Sequence, residues 1–137
     1  KGSIKGVKIV DDYAHHPTAI TATLSAARAY PHNNLWCVFQ PHTYSRTKQH
    51  LKEFAQALSL ADKIVLSDIY ASREKDPGDI SSRDLARELE LLGKEVYYFP
   101  SFDEIENFLL SHCMNGDLLI TMGAGDIVSV GDSLLGL

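Results

Sequence analysis

Short, nearly continuous apolar runs alternate with amphipathic stretches along this chain, and the alternation predicts strands and helices in turn. The runs fall at residues 7–10, 35–40, 63–67, 95–99 and 118–122, each apolar enough for a strand buried on both faces. Ile4 begins a short extra strand that turns back at Lys5-Gly6. Between the runs, apolar residues recur at helical spacing: Ile20, Leu24 and Ala27; Leu51, Phe54, Ala55 and Leu58; Leu85, Leu89 and Leu92; Ile105, Phe108 and Leu109. Ser81 or Ser82 stands where an N-cap belongs and Gly93 where a C-terminal glycine belongs, which pins the third helix at both ends.

This order of elements predicts an α/β fold: a three-layer, Rossmann-like domain with a mostly parallel sheet of about five or six strands and helices on both faces. Residues 1–137 read as one domain, since the length suits a single core and there are no repeats, low-complexity tracts or linkers. The one long loop is 72–80, with Arg73-Glu74-Lys75-Asp76-Pro77-Gly78. No apolar run approaches the roughly 18 residues of a membrane span. The chain opens on Lys1 with nothing like a leader after it, which predicts a piece of a longer protein. A net charge of -5 argues against binding duplex nucleic acid and leaves anionic small molecules, held by a few local cations. Cys37 and Cys113 have neither the number nor the spacing of a disulfide framework or a zinc site. Both are expected to be reduced, with Cys37 in the core and the protein in the cytoplasm.

Open parallel sheets bind ligands at the carboxyl ends of their strands, where loops and helix N-termini gather. Polar clusters follow four of the five runs here: 11–16 after the first, Pro41-His42-Thr43-Tyr44-Ser45-Arg46 after the second, Asp68-Ile69-Tyr70-Ala71-Ser72 after the third, Gly123-Ala124-Gly125-Asp126 after the last. The opposite ends read as plain turns: Pro31-His32-Asn33-Asn34, Ala61-Asp62, Gly93-Lys94 and Asn115-Gly116.

Each cluster has a structural reading beside the functional one. Asp11 or Asp12 could cap the following helix, and Tyr13 could belong to the core. Adjacent histidines on a loop point apart, and His42 and His50 supply no defined ligand spacing, so His15 and His16 are not read as metal ligands. Gly123-Ala124-Gly125 lacks the third glycine of a dinucleotide fingerprint. It is either a tight turn into the last helix or a place where a ligand approaches backbone amides. Arg46 either grips a carboxylate or phosphate in a bidentate way or begins a solvated helix with Lys48.

A receiver-type signalling domain would explain the acidic pair, Asp68 and Ser101, but Thr121-Met122-Gly123 stands where that domain needs a lysine. The combination of Asp11-Asp12-Tyr13-Ala14-His15-His16-Pro17-Thr18, Phe39-Gln40-Pro41-His42-Thr43-Tyr44-Ser45-Arg46-Thr47, Asp68-Ile69-Tyr70-Ala71 and Gly123-Ala124-Gly125-Asp126-Ile127 instead resembles the C-terminal domain of the Mur ligases. The second motif is similar to that of the alanine-adding ligase family, UDP-N-acetylmuramate-L-alanine ligase. The murein peptide recycling ligase, with a related first motif, is the alternative.

The resemblance implies a three-domain enzyme. One domain would hold the UDP-sugar, a central one the P-loop, and this one would close over ATP and supply the amino-acid site. No Gly-x-x-x-x-Gly-Lys-Thr/Ser run occurs in the 137 residues, so the phosphate cradle and most of the Mg²⁺ site are expected upstream and the isolated domain is expected to be inactive. The family reaction uses ATP and Mg²⁺ to phosphorylate the carboxylate of UDP-N-acetylmuramate, and L-alanine's amine then attacks the acyl phosphate. By resemblance, Asp12, Tyr13 and His16 lie on the nucleoside side of ATP, and His42, Tyr44, Ser45 and Arg46 at the L-alanine end. There Arg46 would bind the amino acid's carboxylate. Some members carry a second arginine where this chain has Thr43, so carboxylate binding would lean on Arg46. Tyr70, Gly123, Ala124 and Gly125 are further loop contacts. The partners implied are the substrates and the other domains of the same chain, with no nucleic acid and no membrane.

Overall fold

The computed structural model describes residues 2–136, which form six strands and six helices. The strands are β1 (Gly2–Ile4), β2 (Val7–Asp12), β3 (Leu35–Phe39), β4 (Lys63–Leu66), β5 (Glu95–Tyr98) and β6 (Leu118–Met122). The helices are α1 (Pro17–Arg28), α2 (Tyr44–Gln49), α3 (Leu51–Leu58), α4 (Ser82–Leu91), α5 (Phe102–His112) and α6 (Val128–Leu135). One sheet joins all six strands in the order β1-β2-β6-β3-β4-β5, with β1 antiparallel and the rest parallel. The last strand is thus inserted between the first two parallel ones. Receiver domains have the order 2-1-3-4-5, with the first strand inside the sheet beside the third. Among the described residues β2 pairs only with β1 and β6, so that alternative fails on topology as well as on the missing lysine.

The central strands β3 and β6 are buried at every position, and their side chains alternate between two cores. Leu35, Cys37, Phe39, Leu118, Ile120 and Met122 face the layer of α1, α3 and α4. Trp36, Val38 and Leu119 face α5 and α6. Every helix but α2 offers a narrow apolar stripe, as Ile20, Leu24 and Ala27 do on α1. Full burial of a side chain such as Phe54 or Leu24 stabilises the fold by about 1.5–3 kcal/mol. Both cysteines are free thiols, and burial pushes each up to about 12, which fits packing rather than reactivity.

Ser81 is the N-cap of α4 and completes a capping box with Asp84. Gly93, at φ 79, lies just past the helix end, where its amide and that of Lys94 bond back to Glu90 and Leu89. Leu92, expected on the buried stripe, is instead the C-cap and 46% exposed. Three strands end one residue earlier than the apolar runs, leaving Gln40, Ser67 and Phe99 in the loops. β2 runs two residues longer than expected: Asp11 and Asp12 pair with Thr121 and Met122, so the acidic pair sits on the strand end. The segment after β3 is a helix, α2, separated from α3 by the non-helical backbone of His50. No helix among the described residues is long and apolar enough to cross a membrane.

Candidate functional site

The carboxyl ends of β2, β3, β4 and β6 bring the four clusters together on one edge, and the loops are stitched to one another there. After β3, the chain forms a parallel bridge between His42 and Tyr70. The Thr43 amide donates to the Tyr70 carbonyl at 2.8 Å and the Tyr70 amide to the Pro41 carbonyl at 2.8 Å. After β6, the Gly123 amide donates to the Asp12 carbonyl at 3.1 Å. Gln40, buried at the end of β3, donates to Asp126 at 2.7 Å and accepts from the Ile127 amide at 3.2 Å.

Asp12 is half-buried and caps no helix. Its Oδ1 accepts from the Ala14 amide at 2.7 Å and its Oδ2 from the Thr23 hydroxyl at 3.1 Å, which fixes the turn after the strand. The N-cap of α1 is His16, with no side-chain capping bond, and Pro17 opens the helix. Asp11 accepts from the Thr121 hydroxyl at 2.8 Å. Tyr13 is 70% exposed, so it is not part of the core. The two histidines diverge: His15 lies against Tyr13 and His42, with ring centroids 5.5 and 5.6 Å away, whereas His16 lies against His50 at 5.4 Å. His15 thus joins the Tyr13 side of the edge to the His42 side, while His16 turns towards α3. Among the described residues no three His, Cys, Asp or Glu side chains are grouped so as to hold a metal ion.

At the second cluster, an Arg46 Nη1 donates to His42 Nδ1 at 3.0 Å. Since a guanidinium has no acceptor, His42 accepts at Nδ1 and carries its proton on Nε2. Its pKa is held below 6.5, first by burial, then by the neighbouring charges of Arg46 and His15, against an opposing pull from Glu74. The His42 ring stacks on Tyr70, 5.6 Å between centroids and 21° between planes. Arg46 is half-buried, and its bond to His42 uses one of the five donors of its guanidinium. The Ser45 hydroxyl donates to Glu74, and the Tyr44 phenol is pushed above 10 by burial and by Asp76, Asp68 and Glu74. Gly125 lies under Tyr70 and Gln40: a Cβ there would meet Gln40 Oε1 at 2.5 Å and the Tyr70 ring at 2.7 Å. Its missing side chain therefore makes room for protein atoms. Gln40 and Glu74, to which the sequence reading gives no role, tie these loops together through their side chains.

This fold is that of a known family. A family model described as Mur ligase, glutamate ligase domain, matches residues 1–125. The chain belongs to the Mur ligase C-terminal domain family. It is 67% identical over 135 residues to the UDP-N-acetylmuramate–L-alanine ligase of Lachnoclostridium phytofermentans, and 52% identical over 135 residues to that of Caldanaerobacter subterraneus subsp. tengcongensis. In both cases 98% of this chain is covered and 29% of the relative, so the chain spans under a third of these ligases. Among solved structures, the UDP-N-acetylmuramate-alanine ligase of Thermotoga maritima superposes with a TM-score of 0.77 at 28% identity, over 96% of this chain and 26% of that one. A murein peptide ligase from Psychrobacter arcticus superposes with a TM-score of 0.76 at 24% identity, over 99% and 28%. Backbone shape alone does not separate these two Mur ligases. The high identities are to alanine ligases.

Proposed function

We propose that the chain is the C-terminal domain of an ATP-dependent ligase that joins L-alanine to UDP-N-acetylmuramate in peptidoglycan precursor synthesis, in the bacterial cytoplasm. The observation that carries this reading is the hydrogen-bonded His42–Arg46 pair at the carboxyl edge, in a chain 67% identical to part of such a ligase. Arg46 offers a fork of donors that matches a carboxylate, and at its side His42 presents Nε2–H. Together they orient the amino acid so that its amine faces the activated carboxyl group. Positioning and charge neutralisation are this domain's contribution, consistent with a module that closes over reactants held elsewhere.

The nucleoside end suits the residues present. Tyr13 exposes a flat ring, and each Asp12 oxygen, having accepted one hydrogen bond, keeps a lone pair for a ribose hydroxyl. ATP with Mg²⁺ supplies the phosphoryl group that activates the muramate carboxylate, and its phosphates fall to the upstream P-loop domain. The isolated domain is therefore inactive, and L-alanine-dependent ADP release from it would contradict that. In the intact enzyme, Arg46→Ala removes a charge-assisted contact of about 1.5–3 kcal/mol, roughly 10- to 150-fold in kcat/KM for L-alanine. Asp12→Ala raises KM for ATP instead. Unchanged alanine kinetics in the Arg46 variant would sink the assignment.

A further inference from the structure

We infer that Glu74 is a positioning residue of the amino-acid end, holding in place the helical turn that carries Arg46. The inference rests on reading Arg46 as the residue that binds the amino acid's carboxylate. Glu74 lies on the long loop 72–80, yet both of its oxygens reach the start of α2. Its Oε1 accepts from the Tyr44 amide at 2.6 Å and the Ser45 amide at 3.1 Å, and its Oε2 accepts from the Ser45 hydroxyl. These amides belong to the first turn, where a helix supplies no internal partner. Asp79, further along the same loop, pairs with Lys48 on the same helix.

The turn needs such a clasp. Thr43, its N-cap, sits at φ 65 and ψ 146, a conformation that residues other than glycine keep only where their surroundings fix it. On one side Thr43 is fixed by the hydrogen bond from its amide to the Tyr70 carbonyl; on the other, Glu74 fixes the next two residues. Arg46 follows directly, its own amide bonded to the Thr43 hydroxyl at 3.3 Å and its guanidinium to His42. Removing the Glu74 carboxylate leaves a positive-φ cap and two unpaired amides immediately before the residue that must be aimed. Residues 72–79 are exposed or half-buried, so tethering them adds little to the core. What the clasp fixes is the direction of Arg46.

The test uses the full-length ligase with Glu74→Ala, Glu74→Gln, Arg46→Ala and the Glu74→Ala/Arg46→Ala double variant. KM is measured separately for L-alanine, ATP and UDP-N-acetylmuramate, alongside the thermal midpoint. Glu74→Ala is expected to raise KM for L-alanine about 10- to 100-fold while the other two KM values stay within about twofold. Glu74→Gln, which keeps the chain length and one acceptor, recovers part of the loss. In the double variant Glu74→Ala adds nothing to Arg46→Ala, as expected of a residue that acts through the arginine. Unchanged alanine kinetics in Glu74→Ala, a parallel rise of all three KM values with a lowered midpoint, or full additivity would each overturn the inference. If Arg46→Ala raises KM for L-alanine and Glu74→Ala does not, the inference alone fails. If Arg46→Ala has no effect, the reading of the site fails with it.

Discussion

At the amino-terminal edge of the sheet, Asp117 is 3% exposed and accepts three hydrogen bonds, from the Asn34 amide, the Met114 amide and the Trp36 indole, each at 3.0 Å. At the carboxyl-terminal edge, Asp12 is half-buried, accepts two, and has Tyr13 exposed beside it. Cavity size does not distinguish the two edges, since clefts of about 400 and 480 Å³ lie at one and the other. The difference is in how the polar groups are used. At the amino edge they close turns onto the strands: Asp62 accepts from the Leu35 amide at 2.8 Å, and Asn33 donates to the Asn115 carbonyl at 3.0 Å. At the carboxyl edge they bond loop to loop and keep donors and lone pairs over, with an arginine, two histidines and two tyrosines within reach of one another. The same residue types thus serve rigidity at one end and, under the proposed function, recognition at the other.

The contrast is most sharply challenged at Asp117. Replacing it by alanine orphans a buried indole N–H and two amides and should cost about 2–4 kcal/mol, read from the urea midpoint. A loss below about 0.5 kcal/mol would put Asp117 in the class of ordinary surface residues and erase the distinction. Gly125→Ala tests the other edge. Gln40 is 5% exposed and doubly bonded, so the new methyl must displace the Tyr70 ring, at an overpacking cost of about 1–3 kcal/mol. The His42 ring resonances should move as their stacking partner leaves. If stability and those resonances both stay put, the glycine serves a ligand and not Tyr70.

The smallest effect concerns pH. With the folded pKa of His42 held below 6.5, the neutral ring is favoured in the folded protein. Its contribution is complete above 6.5 and is lost as the pH falls through the lower, folded value. Protonation removes the Nδ1 acceptor and sets a cation beside Arg46. KM for L-alanine in the intact enzyme is therefore expected to be flat above 6.5 and to rise only below it. An acid limb centred above 6.5 would detach His42 from amino-acid binding.

Much of this was legible in the chain. A strand buried on both faces must be apolar almost throughout, so β3 and β6 announce themselves, and the capping of α4 depends on residues within a turn of its ends. The polar loops could be placed on one edge because parallel strands all end on the same side. Less visible was α2, a six-residue helix with a single buried side chain, Thr47, and therefore no apolar stripe to show. Gln40 read as the end of a strand and Glu74 as one residue of the long loop. Nothing local distinguishes a glutamate that caps a helix start thirty residues away from one that faces water.

Sequence by itself determined the alternation of elements, the two faces of the sheet and the four motifs that mark a Mur ligase domain, because periodicity, capping and motif are local properties. Tertiary structure alone decided that β6 enters between β2 and β3, that the acidic pair rides on a strand end, that His15 and His16 turn to different neighbours, and that Glu74 clasps the turn bearing Arg46. Those facts depend on pairs of residues distant in the chain, and only the closing of the sheet brings such pairs within hydrogen-bonding range.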